Sequence, residues 1–448
     1  MRVTIVGGGS YQWTPELMAD LFGTASLRGM ELVLHDIDPA PLVSMAALSH
    51  RLDEALSCGA RISTTTDRRT ALDHADFVIV TISTGGFESM AFDLDVPARH
   101  GIRQAVGDSV GPGGISRALR NIPVLVDIAR DMEELCPDAW LLNITNPMTC
   151  LTRAVLRETS IKAVGLCHEV GNWCLDLAIA MGVAAETVRP TVAGVNHLPI
   201  VTALSVGDRD GFEALREFVA DAGGLDALAP VPDRVAAAPF TPLDFVRRHT
   251  LALTLLDQWG AVPAAGDRHV AEFLPGVLTE TTHWGADYNI ALTSIADRRR
   301  DQAGFVADVE SWLAGTKQLQ TWSSGELPAL VIDSLVTGDR RELPLNLPNS
   351  GQCPDAPRDA VVESICVVDA DGIRPRDVVE LPPRCAELVR RHVAVQELTV
   401  SAAITGDREL VAAAFALDPL AGRGDPRTTE AMADELLAAT AGWLPQFD

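Results

Sequence analysis

The sequence predicts an α/β fold, in which a Rossmann-like parallel sheet is followed by a second, mainly helical α+β domain. Over the first part of the chain, short apolar runs alternate with helical patterns, which is typical of strand–helix–strand units. After about residue 194 mostly helical segments follow. A chain of 448 residues also exceeds the size at which one core usually stays single. We therefore expect two domains, 1–194 and 195–448.

The parallel sheet is predicted from apolar runs of strand length, separated by amphipathic stretches. The predicted strands are Val3 to Val6, Glu31 to Leu34, Phe77 to Ile82, Trp140 to Asn143 and Ala163 to Leu166. The first helix is predicted over Thr14 to Phe22, with Thr14 as its cap and Pro15 at its first position.

The second part of the chain contains three recognisable segments. Val192 to Leu204 reads as a strand interrupted at Asn196 and His197. Ala229 to Pro242 is rich in proline and alanine without a clear period, which predicts a loop or lid. Pro382 to Phe415 is predicted to be helical, and serves either core packing or a subunit interface.

Composition argues against several classes of partner. A formal net charge of −25 repels phosphate backbones and anionic membranes, so we expect neither nucleic acid nor membrane as a partner. Met1 and Arg2 lead straight into an apolar strand, which leaves no room for a signal sequence. The eight cysteines show no paired or zinc-ribbon spacing. A cytoplasmic protein with reduced thiols is the expectation.

A dinucleotide site is predicted after the first strand. Gly7, Gly8, Gly9 and Ser10 lie between that strand and a helix, where glycine lets the backbone approach a pyrophosphate. The full fingerprint would place another glycine where Gln12 stands, so a purely structural turn is the alternative. Asp36, at the end of the second strand, is suited to bind a ribose hydroxyl and favours NAD over NADP.

Polar residues at two further strand ends extend this site. Ser83 follows the third strand and is expected to line the nicotinamide half of the cofactor. Asn143 and Asn146 follow the fourth strand, and their amides can bond ribose, nicotinamide or sugar hydroxyls. An Asx-type turn before Pro147 is the alternative, and it is more plausible for Asn143 alone than for both residues.

A metal site is suggested by Cys167 and His197. Cys167 comes directly after an apolar strand, and His197 interrupts another. Thiolate and imidazole bind divalent transition metals, and two protein ligands leave positions open for substrate oxygens. A buried cysteine acting as a small hydrophobe and a histidine acting as a satisfied polar group are the alternatives.

A small-residue loop in the second domain places an acid, a guanidinium and an imidazole in a row. These are Asp267, Arg268 and His269, and loops of this kind commonly contain functional residues. The alternative is that Asp267 caps a helix and Arg268 is its solvated neighbour.

Together these motifs resemble glycoside hydrolase family 4, closely from Val3 to Pro275 and more loosely beyond. The matching motifs are Gly7-Gly8-Gly9-Ser10, Asp36, Gly107-Asp108-Ser109-Val110-Gly111-Pro112-Gly113-Gly114, Thr145-Asn146-Pro147, Cys167-His168-Glu169-Val170 and Gly194-Val195-Asn196-His197. Within the family, Cys-His-Glu-Val and the loop from Gly266 to Pro275 are similar to the α-galacturonidase subgroup.

The resemblance implies an NAD- and divalent-metal-dependent glycosidase, with Mn²⁺ as the expected metal and a dimer or tetramer as the expected assembly. Members of the family are an exception to the two-carboxylate scheme. Carbon 3 of the sugar is oxidised, carbon 2 is deprotonated, the aglycone is eliminated, and hydration and re-reduction follow. The substrate would be an anionic small-molecule glycoside.

The resemblance also implies roles for single residues. Cys167 and His197 would hold the metal, and Asn146 would contact the sugar. His168 would protonate the leaving oxygen. No tyrosine lies near Asp267, so Asp267 itself would be the base. Asp108 would tune the basicity of Asp267. The implied ligand of the substrate carboxylate is Arg268.

Three alternatives remain open at this stage. The first is an NAD-dependent hydroxyacid dehydrogenase, since lactate and malate dehydrogenases share this fold and a similar Asn-Pro turn, but their Gly-x-His-Gly type of histidine is missing. The second is a nucleotide-sensing binding protein without chemistry. The third is a 6-phosphoglycosidase or α-galactosidase of the same family.

Overall fold

A computed structural model describes residues 1–225, 241–322 and 324–447. Most of the predicted loop Ala229 to Pro242, namely 229–240, lies outside these residues. Within the described ranges, one mixed sheet contains thirteen strands. They are β1 (Arg2–Val6), β2 (Glu31–His35), β3 (Arg61–Thr65), β4 (Phe77–Val80), β5 (Trp140–Asn143), β6 (Lys162–Leu166), β7 (Val188–Val195), β8 (Leu198–Val206), β9 (Arg209–Asp210), β10 (Val262–Pro263), β11 (Arg341–Pro348), β12 (Val361–Asp369) and β13 (Gly372–Pro375).

The first half of the sheet is parallel, in the order β6-β5-β4-β1-β2-β3. All five predicted strands are present in it, each within two residues of its predicted ends. The prediction missed β3, whose sequence Arg-Ile-Ser-Thr-Thr has one aliphatic residue and lies mostly exposed at the sheet edge. An edge strand of this kind lacks the apolar run by which the buried strands were found.

The second half of the sheet is antiparallel, in the order β10-β8-β7-β12-β11, and β11 pairs with β6. As predicted, a strand is interrupted at Asn196 and His197, which form the turn between β7 and β8. The sequence prediction missed β11 and β12. Because they join the two halves, one continuous sheet crosses residue 194, and the division of the chain there remains a prediction.

Helices cover both faces of the sheet. Among the described residues the α-helices are α1 (Trp13–Gly23), α2 (Pro39–Leu56), α3 (Arg68–Leu72), α4 (Gly86–Arg99), α5 (Gly111–Leu135), α6 (Met148–Glu158), α7 (Glu169–Met181), α8 (Gly211–Asp221), α9 (Pro242–Arg248), α10 (Thr250–Trp259), α11 (Asp267–Val270), α12 (Ile295–Ala314), α13 (Leu327–Thr337), α14 (Pro383–Thr405), α15 (Arg408–Leu417) and α16 (Pro426–Ala439). The predicted final helical region is two helices, α14 and α15, with Gly406 between them in the left-handed conformation. None of the described helices is long and apolar enough to cross a membrane.

The start of α1 differs from its prediction. Thr14 does not cap this helix, because α1 begins one residue earlier and the buried Thr14 hydroxyl has no hydrogen-bond partner within the described ranges. Instead, Ser10 Oγ accepts a hydrogen bond from the backbone N–H of Trp13 at 3.1 Å. The helix is thus tied directly to the glycine loop, which is where a pyrophosphate would lie.

The hydrophobic core forms on both faces of the parallel strands. Val3 and Ile5 of β1 point into a cluster with α1, α2 and α13, whereas Val6 belongs to a cluster with α5 and α6. Helices α14, α15 and α16 pack into that second cluster, although they lie at the far end of the chain. The packed sheet leaves the carboxyl ends of β1, β4, β5 and β6 at one edge, where polar loops gather.

Candidate active site

A cleft of about 650 Å³ opens at this edge of the sheet. Its lining includes Asn146 after β5, Cys167 after β6 and His197 in the turn between β7 and β8. Seven residues singled out from the sequence line it: Asp108, Asn146, Cys167, His168, His197, Asp267 and Arg268. The first residue of α1, Trp13, lines it as well, so the cleft begins where the glycine loop ends.

Two imidazoles and a carboxylate meet in the cleft. One ligand atom each of Asp108, His197 and His269 lies within 4.8 Å of the others, and the two imidazole rings are 3.8 Å apart at their centroids. Cys167 is not part of this group, although it lines the same cleft. A pair of histidines with one carboxylate is a common ligand set for divalent transition metals.

Ser109 orients this cluster. Its hydroxyl donates to Asp108 Oδ1 at 2.7 Å and lies 2.7 Å from His197 Nδ1. Because a hydroxyl has one proton, His197 Nδ1 must be the donor in the second bond, which leaves Nε2 with its lone pair free. Burial lowers the pKa of His197 to about 3, which also favours the neutral ring that binds metals.

The charge states in the cluster suit a cation. Burial alone would raise the pKa of Asp108, but the charges of His269, His197 and Arg117 hold it at about 2. Nδ1 of His269 is buried and has no hydrogen-bond partner in the described part of the chain. Burial keeps the pKa of the Cys167 thiol well above its usual range, with Glu363 and Glu169 adding to the effect. Without a metal, Cys167 is therefore a neutral thiol.

His168 is held between two carboxylates. Its Nδ1 lies 2.6 Å from Glu326 Oε1, and its Nε2 lies 3.6 Å from Glu169 Oε1. Burial opposes protonation of the ring, but the hydrogen bonds to Glu169 and Glu326 raise its pKa to about 10. His168 is therefore an imidazolium at neutral pH, with a proton to donate.

Asp267 is almost fully buried, and its carboxylate accepts two backbone hydrogen bonds. The donors are the N–H groups of Leu251 at 2.6 Å and Ala252 at 3.0 Å, both in the first turn of α10. Burial raises the pKa of Asp267 to about 8, and these two N–H groups oppose the rise. Both oxygens accept hydrogen bonds from the first turn of α10, so Asp267 caps that helix, and its role as the catalytic base stays a prediction.

The loop that contains Asp108 is fixed by charged side chains that the sequence analysis missed. Glu272 Oε1 accepts hydrogen bonds from the backbone N–H groups of Val106 at 2.7 Å and Gly107 at 2.9 Å. Arg298 donates to the Val106 carbonyl at 2.8 Å. Arg268, predicted to bind the substrate, donates to the carbonyl of Ala105 at 3.2 Å.

The two asparagines after β5 differ in their surroundings. Asn143 is fully buried, donates to Thr145 O and Thr152 Oγ1 at 3.2 Å each, and accepts from Thr145 N at 2.9 Å. It therefore forms the Asx-type turn, and its predicted role in cofactor binding stays a prediction. Asn146 lines the cleft, and its Oδ1 is buried without a partner among the described residues, which leaves it available to a ligand.

The glycine loop has the close backbone packing that a dinucleotide site needs. Gly7 has φ +92°, and a Cβ there would lie 1.9 Å from Thr81 O. The N–H of Gly9 donates to Asp36 Oδ2 at 3.0 Å, so this carboxylate lies beside the loop at the end of β2. Gly8 N–H donates to the carbonyl of His35 at 2.7 Å.

Ser83 lies exposed after β4, and its carbonyl accepts from Gly86 N–H at 3.0 Å in the turn before α4. Asn121 of α5 supports this turn, since its Oδ1 accepts from Thr84 N–H at 2.9 Å. The same amide donates to the carbonyl of Asn146 at 3.3 Å. One side chain thus connects the two loops at the cofactor edge of the sheet.

Two family models match this chain. One, described as family 4 glycosyl hydrolase, matches residues 2–182, and the other, described as the C-terminal domain of that family, matches residues 192–421. The chain belongs to glycosyl hydrolase family 4. It is therefore a glycosidase, as the resemblance of its motifs implied.

Curated relatives in this family span nearly the whole chain. An alpha-galactosidase of Bacillus subtilis is 34% identical over 100% of this chain and 99% of its own length. An alpha-galacturonidase of the same organism is 32% identical over 94% of this chain and 93% of its own length.

Solved structures agree with the fold. The lplD protein of Bacillus subtilis is 31% identical with a TM-score of 0.87, covering 98% of this chain and 99% of its own. A 6-phospho-alpha-glucosidase from gut microorganisms, solved with NAD and Mn²⁺, has a TM-score of 0.82 at 20% identity. The match covers 100% of this chain and 99% of that protein's chain. A malate dehydrogenase of Plasmodium falciparum has a TM-score of 0.52 at 13% identity, and the match covers 90% of this chain and 98% of that protein's chain. The predicted lactate/malate dehydrogenase-like fold is confirmed.

Proposed function

We propose that this family 4 enzyme is an NAD- and divalent-metal-dependent α-galacturonidase. The main support is the cluster of Asp108, His197 and His269, which lies in the same cleft as the helix that begins at the glycine loop. A metal site next to a dinucleotide site suits a reaction in which oxidation and deprotonation take place on neighbouring carbons of one sugar.

The residues present fit both groups. His197 through its free Nε2, His269 through its unpartnered Nδ1, and Asp108 through its carboxylate would hold the metal. Cys167 stays a predicted further ligand from the same cleft. Gly7 provides the close backbone approach and Asp36 the acceptor for a ribose hydroxyl. The 6-phospho-alpha-glucosidase structure with NAD and Mn²⁺ supports the choice of both cofactors.

When bound, NAD would accept and return the hydride of sugar carbon 3, and the divalent cation would act as a Lewis acid. The chain's own residues bind and move protons around that chemistry. Asn146 Oδ1, buried and unpartnered, accepts a hydrogen bond from a sugar hydroxyl. The imidazolium of His168 holds the proton for the leaving oxygen, and Glu326 keeps the ring in place.

The galacturonide is the finer part of this proposal. It is supported by the Cys167-His168-Glu169-Val170 motif and by the 32% identical alpha-galacturonidase. Arg247, Arg268 and Arg298 also line the cleft, and guanidinium groups pair well with carboxylates. The 34% identical alpha-galactosidase makes neutral α-galactosides the main alternative. A cytoplasmic location and a dimeric or tetrameric assembly remain predictions from the sequence.

The substrate proposal is tested with matched p-nitrophenyl glycosides in the presence of NAD, Mn²⁺ and a thiol. We expect the α-galacturonide to have the highest kcat/KM, compared with the α-galactoside and the 6-phospho-α-galactoside. Absorbance of reduced cofactor is followed in the same cuvette and should show no net increase. Faster cleavage of either of the other two glycosides contradicts the galacturonide, whereas stoichiometric NADH identifies a dehydrogenase reaction.

The metal cluster is tested by direct binding. His269→Ala should weaken Mn²⁺ binding at least about tenfold, because it removes one of three protein ligands. The loss of the electron paramagnetic resonance signal of free Mn²⁺ measures binding without any need for turnover. His283→Ala, which removes an exposed histidine paired with Asp287, is the matched control and should bind like wild type. Equal affinity of the His269 variant and wild type would remove His269 from the ligand set.

A further inference from the structure

One wall of the cleft presents nitrogen donors that lack a hydrogen-bond partner among the described residues. Trp173 of α7 is almost fully buried, and no described residue provides an acceptor for its Nε1. His249, between α9 and α10, is also buried; neither ring nitrogen has a partner in good hydrogen-bond geometry among the described residues, although the backbone of Ala265 lies near enough to influence its pKa. Nε of Arg247 is buried and unbonded as well. All three residues line the cleft. A buried donor left without an acceptor is costly, so such a group commonly marks a ligand site.

Two of these residues, Trp173 and His249, lie on one packed patch, and Arg247 lines the same cleft. The rings of Trp173 and His249 are 6.4 Å apart at their centroids, and both contact Phe245, at 6.0 and 4.7 Å. Arg247 lies between Phe245 and His249 in sequence, at the end of α9. Since Phe245 is fully buried, the patch is held by core packing and does not depend on a ligand for its shape.

Two acids that line the same cleft as Arg247 already have partners. Asp176 pairs with Arg248 at 3.1 Å. Asp244 accepts hydrogen bonds from Thr241 N at 2.9 Å and Thr241 Oγ1 at 2.5 Å in the capping box of α9. Neither carboxylate bonds to the guanidinium of Arg247. A partly buried guanidinium with a free Nε favours an anionic partner over a neutral one.

The number of donors matches a carboxylate. The indole N–H is a donor only, and a guanidinium has donors but no acceptor. Burial lowers the pKa of His249 to about 4, so the neutral ring offers one donor. A carboxylate has two oxygens with about four acceptor positions, which is enough for three donors from one cleft.

We propose that Trp173, Arg247 and His249 form the pocket for the carboxylate of the galacturonide. This inference rests on the proposed function and replaces Arg268 in the role that the sequence analysis gave it. Arg268 donates to the carbonyl of Ala105 and serves the loop that contains Asp108. The pocket determines specificity for the acid, whereas the metal cluster acts on the ring hydroxyls.

The test compares specificity constants for the p-nitrophenyl α-galacturonide and α-galactoside in Arg247→Gln. We expect kcat/KM for the acid to fall about a hundredfold, because a charge-assisted hydrogen bond is lost. The neutral substrate should change less than about threefold. Trp173→Phe, which keeps a ring and removes one donor, should lower the acid's kcat/KM about tenfold. Arg247→Lys should recover part of the loss through its charge.

Two controls separate this pocket from general electrostatics and from misfolding. Arg248→Gln removes the exposed neighbouring guanidinium, which also lines the cleft but is paired with Asp176, and should leave the ratio of the two constants within about threefold of wild type. Melting temperatures show whether Trp173→Phe is folded, and Arg247→Gln alters a side chain that is only partly buried.

The outcomes also distinguish the pocket from the proposed function. If wild type prefers the galacturonide but Arg247→Gln keeps that preference, the pocket is wrong and the proposed function stands. Equal losses on both substrates likewise contradict the pocket. If wild type cleaves neither glycoside, the proposed function fails. In that case the pocket is tested by calorimetric binding of galacturonate in the presence of NAD and Mn²⁺. Binding that is lost in Arg247→Gln but kept in Arg248→Gln would still support the pocket. Equal binding by both variants would overturn it.

Discussion

Asp267 shows how single hydrogen bonds change the interpretation of a motif. We predict that Asp267→Ala lowers the free energy of unfolding by about 0.5–2 kcal/mol, because the N–H groups of Leu251 and Ala252 lose their acceptor. Asp267→Asn keeps one amide oxygen as an acceptor and should retain most of the stability and activity. Denaturant unfolding and kcat, measured on both variants, check this prediction.

The same pair of variants can contradict the cap interpretation. If Asp267→Asn unfolds like wild type while kcat falls more than about a thousandfold, the carboxylate is the base that the family resemblance implied. Thermal stability alone would not separate the two roles, because a base can also be a cap. The asparagine variant is therefore the informative one.

Residue types predicted the chemistry of the site, but the sequence could not show which side chains meet. Cys167 and His197 were chosen as ligands because they follow or interrupt strands, and both line the cleft. His269 was noted only as part of a loop, yet it lies with His197 and Asp108. The local sequence around His269 does not indicate this contact, because residues 108, 197 and 269 come together only through the fold.

At the scale of elements, the segment from Ala105 to Asp108 has no regular structure of its own and depends on distant side chains. Glu272 and Arg298 hold its backbone from the second half of the chain. Glu272 lies in the motif from Gly266 to Pro275, but its residue type gave it no role there, because an acid is usually solvated. Its burial could be learned only from the structure.

Glu272 should therefore make stability depend on pH. Burial raises its pKa from 4.5 to about 8. Between these values the unfolded state has lost the proton that the folded state keeps, so the contribution of this carboxyl to stability falls as pH rises. Glu272→Gln stays neutral, keeps an acceptor for Val106 and Gly107, and lacks this slope.

We predict that the stability of Glu272→Gln, relative to wild type, increases from pH 5 to pH 8. Urea unfolding at a series of pH values measures the difference directly. Glu342→Gln is a surface control, since hydrogen bonds with Arg376 lower the pKa of that carboxyl. A relative stability of Glu272→Gln that is constant or falls with pH would mean that the folded pKa of Glu272 is not raised.

The strands differ in how well the sequence predicted them, for a physical reason. β1, β4 and β5 are buried on both faces and read as continuous apolar runs. β12 is equally buried, but Glu and Ser interrupt its run of Val, Ile and Cys, and it comes late in a stretch of helical patterns. Its buried Glu363 conceals the apolar run.

At the scale of the whole molecule, the sequence order of the chain does not separate its cores. Val6 and Val80 of the first strands share one hydrophobic cluster with Phe415 of α15 and Leu436 of α16. The sheet is also continuous across residue 194, through the pairing of β11 with β6 and of β12 with β7. Cutting the chain at 194 would remove helices that cover the dinucleotide half.

These contacts lead to a prediction about cooperativity. Because the last helices complete the core around the first strands, we expect the protein without cofactors to unfold in a single calorimetric transition, with calorimetric and van't Hoff enthalpies that agree. A fragment of residues 1–194 should not fold alone, since the faces of α5 and α6 that pack against α14 to α16 would be exposed. Two separate transitions, or a folded 1–194 fragment with protected amide protons, would instead show that the division predicted at residue 194 is a true domain boundary.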